Sequence, residues 1–250
     1  MRSASKTSSD ESDRSLRRLD RSSRCRLNDR ALHLFEGETL FAKIARALCH
    51  AGCLPRKELF EAWEVAKRAR RRFSGGHVVE LCAGHGLVAQ MMLLLDRSLS
   101  HAVCVDRRRP RSAAIVAEVL AAEWPHLRDR VRYHECPLAE APASGQDAIV
   151  VAVHACGTLS DGVIDHVVAS QTRLALLPCC HAYGKSDDGG FGAWMDGGKA
   201  IDVVRAWRLR NEGFEVKLGT IPEDITPMNR LLLADPAGWA RPASPRRAIA

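Results

Sequence analysis

The stretch Val78-Val79-Glu80-Leu81-Cys82-Ala83-Gly84-His85-Gly86-Leu87 constrains the fold more than any other part of the chain. An apolar run ends in an acid, two glycines flank one residue, and a segment of helix-forming composition continues from Leu87 to Leu95. This order predicts a strand, a tight turn and the start of a helix. Glycine lets a ligand approach the backbone because no Cβ stands in the way. The free N–H groups and the positive dipole end of the helix suit a carboxylate or a phosphate. A second strand, His101-Ala102-Val103-Cys104-Val105, ends at Asp106. An acid about 20 residues past the glycines is placed to accept hydroxyls of a ribose. The bland alternative is an ordinary βαβ turn that binds nothing.

Glu80-Leu-Cys-Ala-Gly84-His-Gly86 together with Val105-Asp106 resembles motifs I and II of the Class I S-adenosylmethionine-dependent methyltransferases. A dinucleotide-binding turn asks for G-x-G-x-x-G, and its third position is Ala89 here, which that pattern tolerates. The acid before the glycines, Glu80, favours the methyltransferase resemblance. The resemblance implies an α/β, Rossmann-like fold: a seven-stranded, mostly parallel sheet of order 3-2-1-4-5-7-6 with helices on both faces. It implies S-adenosyl-L-methionine as cofactor, with Glu80, Gly84 and Gly86 at its methionine end and Asp106 on its ribose. Cys82, Arg107 and His154 are further candidates around it. A third strand, Val131-Arg132-Tyr133-His134, precedes the place where the family puts adenine contacts, which makes Glu135 and Cys136 candidates there.

The chain has 250 residues, enough for one large α/β domain. No apolar run reaches the length of a membrane span, which excludes an integral helical membrane protein. Nine cysteines without a secretory apolar region suggest a reducing compartment, the cytoplasm, and packing or site chemistry rather than disulfides. Lys plus Arg is 37 and Asp plus Glu is 30, a net charge of +7 that permits an anionic partner such as RNA. Residues 1–30 are rich in Ser and Arg and poor in large apolar side chains, so they are expected as a disordered basic tail. Asp10, Glu11, Asp13 and Asp20 argue against a transit peptide. Residues 31–74 are expected as a helical cap, with helices over 38–50 and 56–72. The cofactor domain is expected over 75–238, with a flexible tail over 239–250. Arginine runs at 67–72 and 107–111 are either candidate phosphate contacts or a helix end and a solvated loop.

A fourth strand, Ala148-Ile149-Val150-Val151-Ala152-Val153, leads into His154-Ala155-Cys156-Gly157 and on to Asp161. A fifth, Leu174-Ala175-Leu176-Leu177, leads into Pro178-Cys179-Cys180-His181. Phe214–Leu218 and Arg230–Ala234 read as a closing antiparallel hairpin. Ligands of open α/β sheets sit at the carboxyl ends of the strands near the switch point, so these two motifs belong at one rim. The pair resembles a methyltransferase-domain group that includes tRNA 2′-O-methyltransferase-like proteins. His154, Cys156, Cys179 and His181 are the catalytic candidates. One histidine can serve as general base; Cys179 stands where RNA 5-methylcytosine methyltransferases carry a nucleophile, although their Asp after the fourth strand is replaced by His154. Zinc is the third role, but adjacent Cys179-Cys180 is poor ligand spacing and no metal is expected. The residues could also simply pack the rim. The expectation is an S-adenosylmethionine-dependent methyltransferase with RNA as favoured acceptor. Its rivals are a non-catalytic module that holds RNA or a protein partner and, more weakly, a nicotinamide-dependent oxidoreductase.

Overall fold

The computed structural model describes residues 19–239; the expected tails over 1–18 and 240–250 lie outside them. Seven strands form one sheet: β1 (Gly76–Leu81), β2 (Leu99–Asp106), β3 (Val131–Glu135), β4 (Ala148–Ala152), β5 (Arg173–Leu176), β6 (Phe214–Thr220) and β7 (Arg230–Pro236). Their order is β3-β2-β1-β4-β5-β7-β6, as expected. The first five run parallel, and β7 enters antiparallel between β5 and β6. β4 is apolar throughout and buried at every position, as befits a central strand covered on both faces.

Helices α1 (Leu40–Ala51), α2 (Arg56–Arg72), α3 (Leu87–Leu95) and α4 (Arg111–Glu123) share one apolar core with residues of β1, β2 and β4. Helices α5 (Leu159–Ser170) and α6 (Gly197–Asn211) help to enclose the other. The local causes are plain. Thr39 Oγ1 accepts from the Ala42 N–H at 3.2 Å to open α1, and Gly52 at φ 62° closes it. Phe41 then meets Phe60 and Trp63 of α2 at ring separations of 5.2 and 5.1 Å. Among the described residues no helix is long and apolar enough to cross a membrane.

The basic tail expectation needs correction over residues 19–30. Leu27 is 1% exposed, and its N–H donates to the Leu54 carbonyl at 2.8 Å. Arg21 forms an ion pair with Asp224 and lies over the Phe60 ring. One buried leucine and a few backbone bonds fix a segment whose composition alone argues for disorder. Leu27→Ala should cost about 2–5 kcal/mol in urea unfolding. An unchanged midpoint would mean that the segment does not dock.

Candidate active site

The turn between β1 and α3 is set by its backbone. Cys82 carries a side chain at φ 54°, a left-handed conformation that costs on the order of 1–2 kcal/mol. It is held there because the Ala83 N–H donates to the Val105 carbonyl at 3.1 Å and the Gly86 N–H to the Ala83 carbonyl at 2.8 Å. Gly84 follows at φ 51°, and a Cβ placed on it would meet nothing within 4 Å. The bend is therefore open. Gly86, at φ 67°, is glycine for packing: a Cβ there would stand 2.8 Å from Cys104 Sγ.

Asp106 closes the turn from the neighbouring strand. Its Oδ2 accepts from the Gly84 N–H at 2.9 Å, and the Tyr133 hydroxyl donates to the Gly84 carbonyl at 3.0 Å. A cavity of ≈ 380 Å³ opens beside this staple, lined by Cys82, Gly84, Asp106, Arg107 and His154 on one side. Val105, Pro137, Leu138 and Leu159 give it an apolar wall. Open backbone, a carboxylate with spare acceptor capacity and an apolar slot match the amino-acid, ribose and adenine parts of S-adenosylmethionine.

Other candidates fall elsewhere. Glu80 is 4% exposed, and its Oε2 accepts from the Ala89 N–H at 2.8 Å. It caps α3 from below, a task that Gly86 at the N-cap has no side chain to perform. Gly86 lines a separate cavity of ≈ 310 Å³ with Tyr133 and Arg109. Glu135 is exposed on the edge strand and accepts from the Arg109 N–H at 3.1 Å. Cys136 packs against the second core, and the residues after it, Pro137 and Leu138, line the cavity.

The structure brings Cys156, Cys179 and Cys180 together, while His181 pairs with Asp202. The Sγ atoms of Cys156 and Cys179 are 2.8 Å apart. Burial, reinforced by Cys156, pushes the Cys179 thiol far above its ordinary value, which works against a thiolate nucleophile. The His181 side chain is fully buried, with Nε2 2.9 Å from Asp202 Oδ1. Arg205 joins Asp202 at 3.3 Å, Asp161 at 2.7 Å and the Gly157 carbonyl at 2.9 Å; Arg230 reaches Asp202 at 2.6 Å. Burial by itself would raise the Asp202 carboxyl, but hydrogen bonds from His181 and Arg230 outweigh it and hold the group below its ordinary range. His181 thus belongs to the frame under the motifs, whereas His154 is exposed at the cavity rim.

One residue, Glu58, escaped the sequence reading. Glu58, in the first turn of α2, lies 3.3 Å from His85 Nε2. Burial raises its carboxyl, but the bond to His85 and the nearby His154 more than reverse this. An acid in the first turn of the helix that precedes the cofactor strand was the available signal. The basic run at 67–72 is partly spent on the fold: Lys67 and Arg68 pair with Glu64, and Arg72 pairs with Asp235.

A family model described as a methyltransferase domain matches residues 58–185, just over half of the chain. The chain belongs to this methyltransferase family. The sheet order is that of its Rossmann-like Class I fold, and its cofactor is S-adenosylmethionine. No curated protein matches the chain. Among solved structures, an O-methyltransferase family protein from Burkholderia thailandensis is 17% identical, over 80% of this chain and 60% of its own length, with a TM-score of 0.45. The S-adenosylmethionine-dependent methyltransferase SibL is 19% identical over 94% of this chain and 71% of its own, at 0.48. The M1A22 tRNA methyltransferase TrmK of B. subtilis is 13% identical over 69% and 65%, at 0.49. The chain thus spans three fifths of the length of the Burkholderia protein.

Glu80 gives this site a pH signature. Burial pushes its carboxyl up from 4.5 to about 8; the Ala89 and Val88 N–H groups pull the other way, and the Asp106 charge adds to the rise. Between those values the folded chain keeps a proton that the unfolded chain has lost. Its stabilising contribution is complete below the lower value and is lost as pH rises through the upper one. Urea midpoints should fall between about pH 5 and pH 8, and Glu80→Gln, which stays neutral, should remove that part of the fall. Equal slopes in both proteins would show Glu80 to be ionised throughout.

Proposed function

We propose that this methyltransferase modifies RNA at a hydroxyl group, with His154 as general base. The observation that carries the proposal is the exposed imidazole of His154 at the rim of the cofactor cavity. S-adenosylmethionine supplies an electrophilic methyl group on a sulfonium sulfur. Asp106 holds the ribose hydroxyls, Gly84 leaves room at the backbone, and Pro137, Leu138 and Leu159 exclude water around the base. A hydroxyl acceptor must lose its proton as the methyl group arrives. A neutral imidazole is suited to take that proton near neutral pH.

RNA is supported by exposed cations beside the cavity and by exposed aromatic rings on a later segment. Arg107, Arg108 and Arg109 are exposed beside Asp106. Tyr183 and Trp194 are 64% and 83% exposed on the segment that follows Cys179-Cys180-His181, and exposed rings are platforms for unstacked bases. The likeness of the two motifs to tRNA 2′-O-methyltransferase-like proteins points the same way. Nine cysteines as free thiols suit a cytoplasmic setting.

Tritiated methyl groups incubated with the full chain and fractionated cell extract should enter a pool that nuclease, not protease, releases. His154→Ala should lower that turnover by about 10²–10⁴-fold while S-adenosylhomocysteine still binds in calorimetry. Asp106→Ala should weaken calorimetric binding roughly tenfold or more, since it removes a charged acceptor and frees the turn. For Trp194→Ala the expected change is in RNA affinity, about 1–3 kcal/mol, with little effect on the cofactor. Label released by protease alone would sink the RNA acceptor. Full turnover in His154→Ala would sink the base, and cofactor binding with no labelled pool at all would favour a non-catalytic module.

A further inference from the structure

Cys156 leaves the loop after β4, and Cys179 and Cys180 leave the loop after β5. Their three Sγ atoms lie within 4.8 Å of one another. We propose that these three cysteines form a zinc site with one coordination position left open. The proposal stands apart from the choice of methyl acceptor.

Spacing along the chain hides the site, because adjacent cysteines rarely serve one ion when they are the only pair. Here the third thiol arrives from another strand end, so the ligand set is assembled by the parallel pairing of β4 with β5. The two loops are tied independently of the sulfurs. The Gly157 N–H donates to the Cys180 carbonyl at 2.9 Å, and Arg205 binds the Gly157 carbonyl and Asp161 together. The cluster is therefore positioned by bonds that would persist without an ion. Zinc suits it: the ion takes thiolate ligands, imposes no geometry of its own, and with three protein ligands keeps a fourth place for water or substrate. Magnesium and calcium prefer oxygen ligands, which this cluster does not offer.

The fit requires a small movement. Zn–S bonds near 2.3 Å place tetrahedral sulfurs about 3.8 Å apart, so Cys156 and Cys179 must separate by roughly 1 Å. Cys156 is exposed, so its side chain has room for a change of χ1. His154, two residues before Cys156 on the same loop, lines the cofactor cavity. The ion would sit next to the cavity, on its β4 side.

The test uses the full chain, purified without chelator and without a metal-affinity tag. Elemental analysis should give about one zinc per chain. Cys156→Ser, Cys179→Ser and Cys180→Ser should each lower that content, whereas Cys25→Ser, on the N-terminal segment, should not. Because a variant can fail to fold, the wild-type apoprotein is also titrated with Co²⁺, which should produce a sulfur-to-cobalt charge-transfer band that one equivalent of Zn²⁺ abolishes. Absence of zinc together with absence of that band overturns the proposal. So does zinc that persists in all three variants. A count of seven rather than nine reactive thiols in unreduced, denatured protein, with no zinc, would assign Cys156 and Cys179 to a disulfide instead.

Discussion

The contact between Asp106 and the Gly84 N–H, 2.9 Å long, is the constraint on which the site depends. It joins the end of β2 to the turn after β1, and so converts two parallel strands into a cradle. Gly84 is gripped on its other side by the Tyr133 hydroxyl. With both backbone groups of Gly84 satisfied, the turn stays open without collapsing onto its own polar atoms. The strained Cys82 follows from the same arrangement, because the chain must reverse within two residues to present Ala83 to Val105. The same carboxylate both builds the turn and lines the cavity beside it.

Glu80 complements it from the apolar side. A carboxyl buried at the foot of a helix is costly, and its raised titration reflects that cost. The bond to Ala89 offsets part of it by satisfying a donor that no side chain at Gly86 can reach. Glu80 therefore shapes the cavity without lining it. The sequence pattern marked the residue correctly as special, but an acid at the end of a strand reads the same whether it faces the ligand or the helix above it.

The architecture was legible because its signals are local. The apolar run of β4, the glycines after β1 and the closing hairpin each announce themselves within a few residues, and the order of strands follows from how such units pack. What was not legible required contacts across the chain. Leu27 docks on Leu54 because α1 and α2 create a groove for it, and no composition rule sees a groove. His181 meets Asp202, 21 residues on, through its Nε2, a contact that no local pattern announces. Glu58 and His85 meet only because α2 returns over the turn. Cys156 meets Cys179 and Cys180 only because β4 pairs with β5, which no spacing along the chain records.

The two halves of the rim are held by different physics. The cofactor half rests on backbone hydrogen bonds and glycine conformations, which specify position with little charge. The half that carries His154 and the cysteines rests on Arg205, Arg230, Asp161 and Asp202, two guanidiniums and two carboxylates that balance one another. Replacing such a buried network with apolar side chains is often neutral or stabilising, so stability alone does not explain it. Its geometry does: Arg205 contacts the Gly157 carbonyl of one loop and Asp161 of α5, while Asp202 takes His181 of the other loop. Apolar packing tolerates small slides between elements, whereas a network of directed bonds does not. The charges thus fix the register between the two loops on which His154 and the cysteines stand.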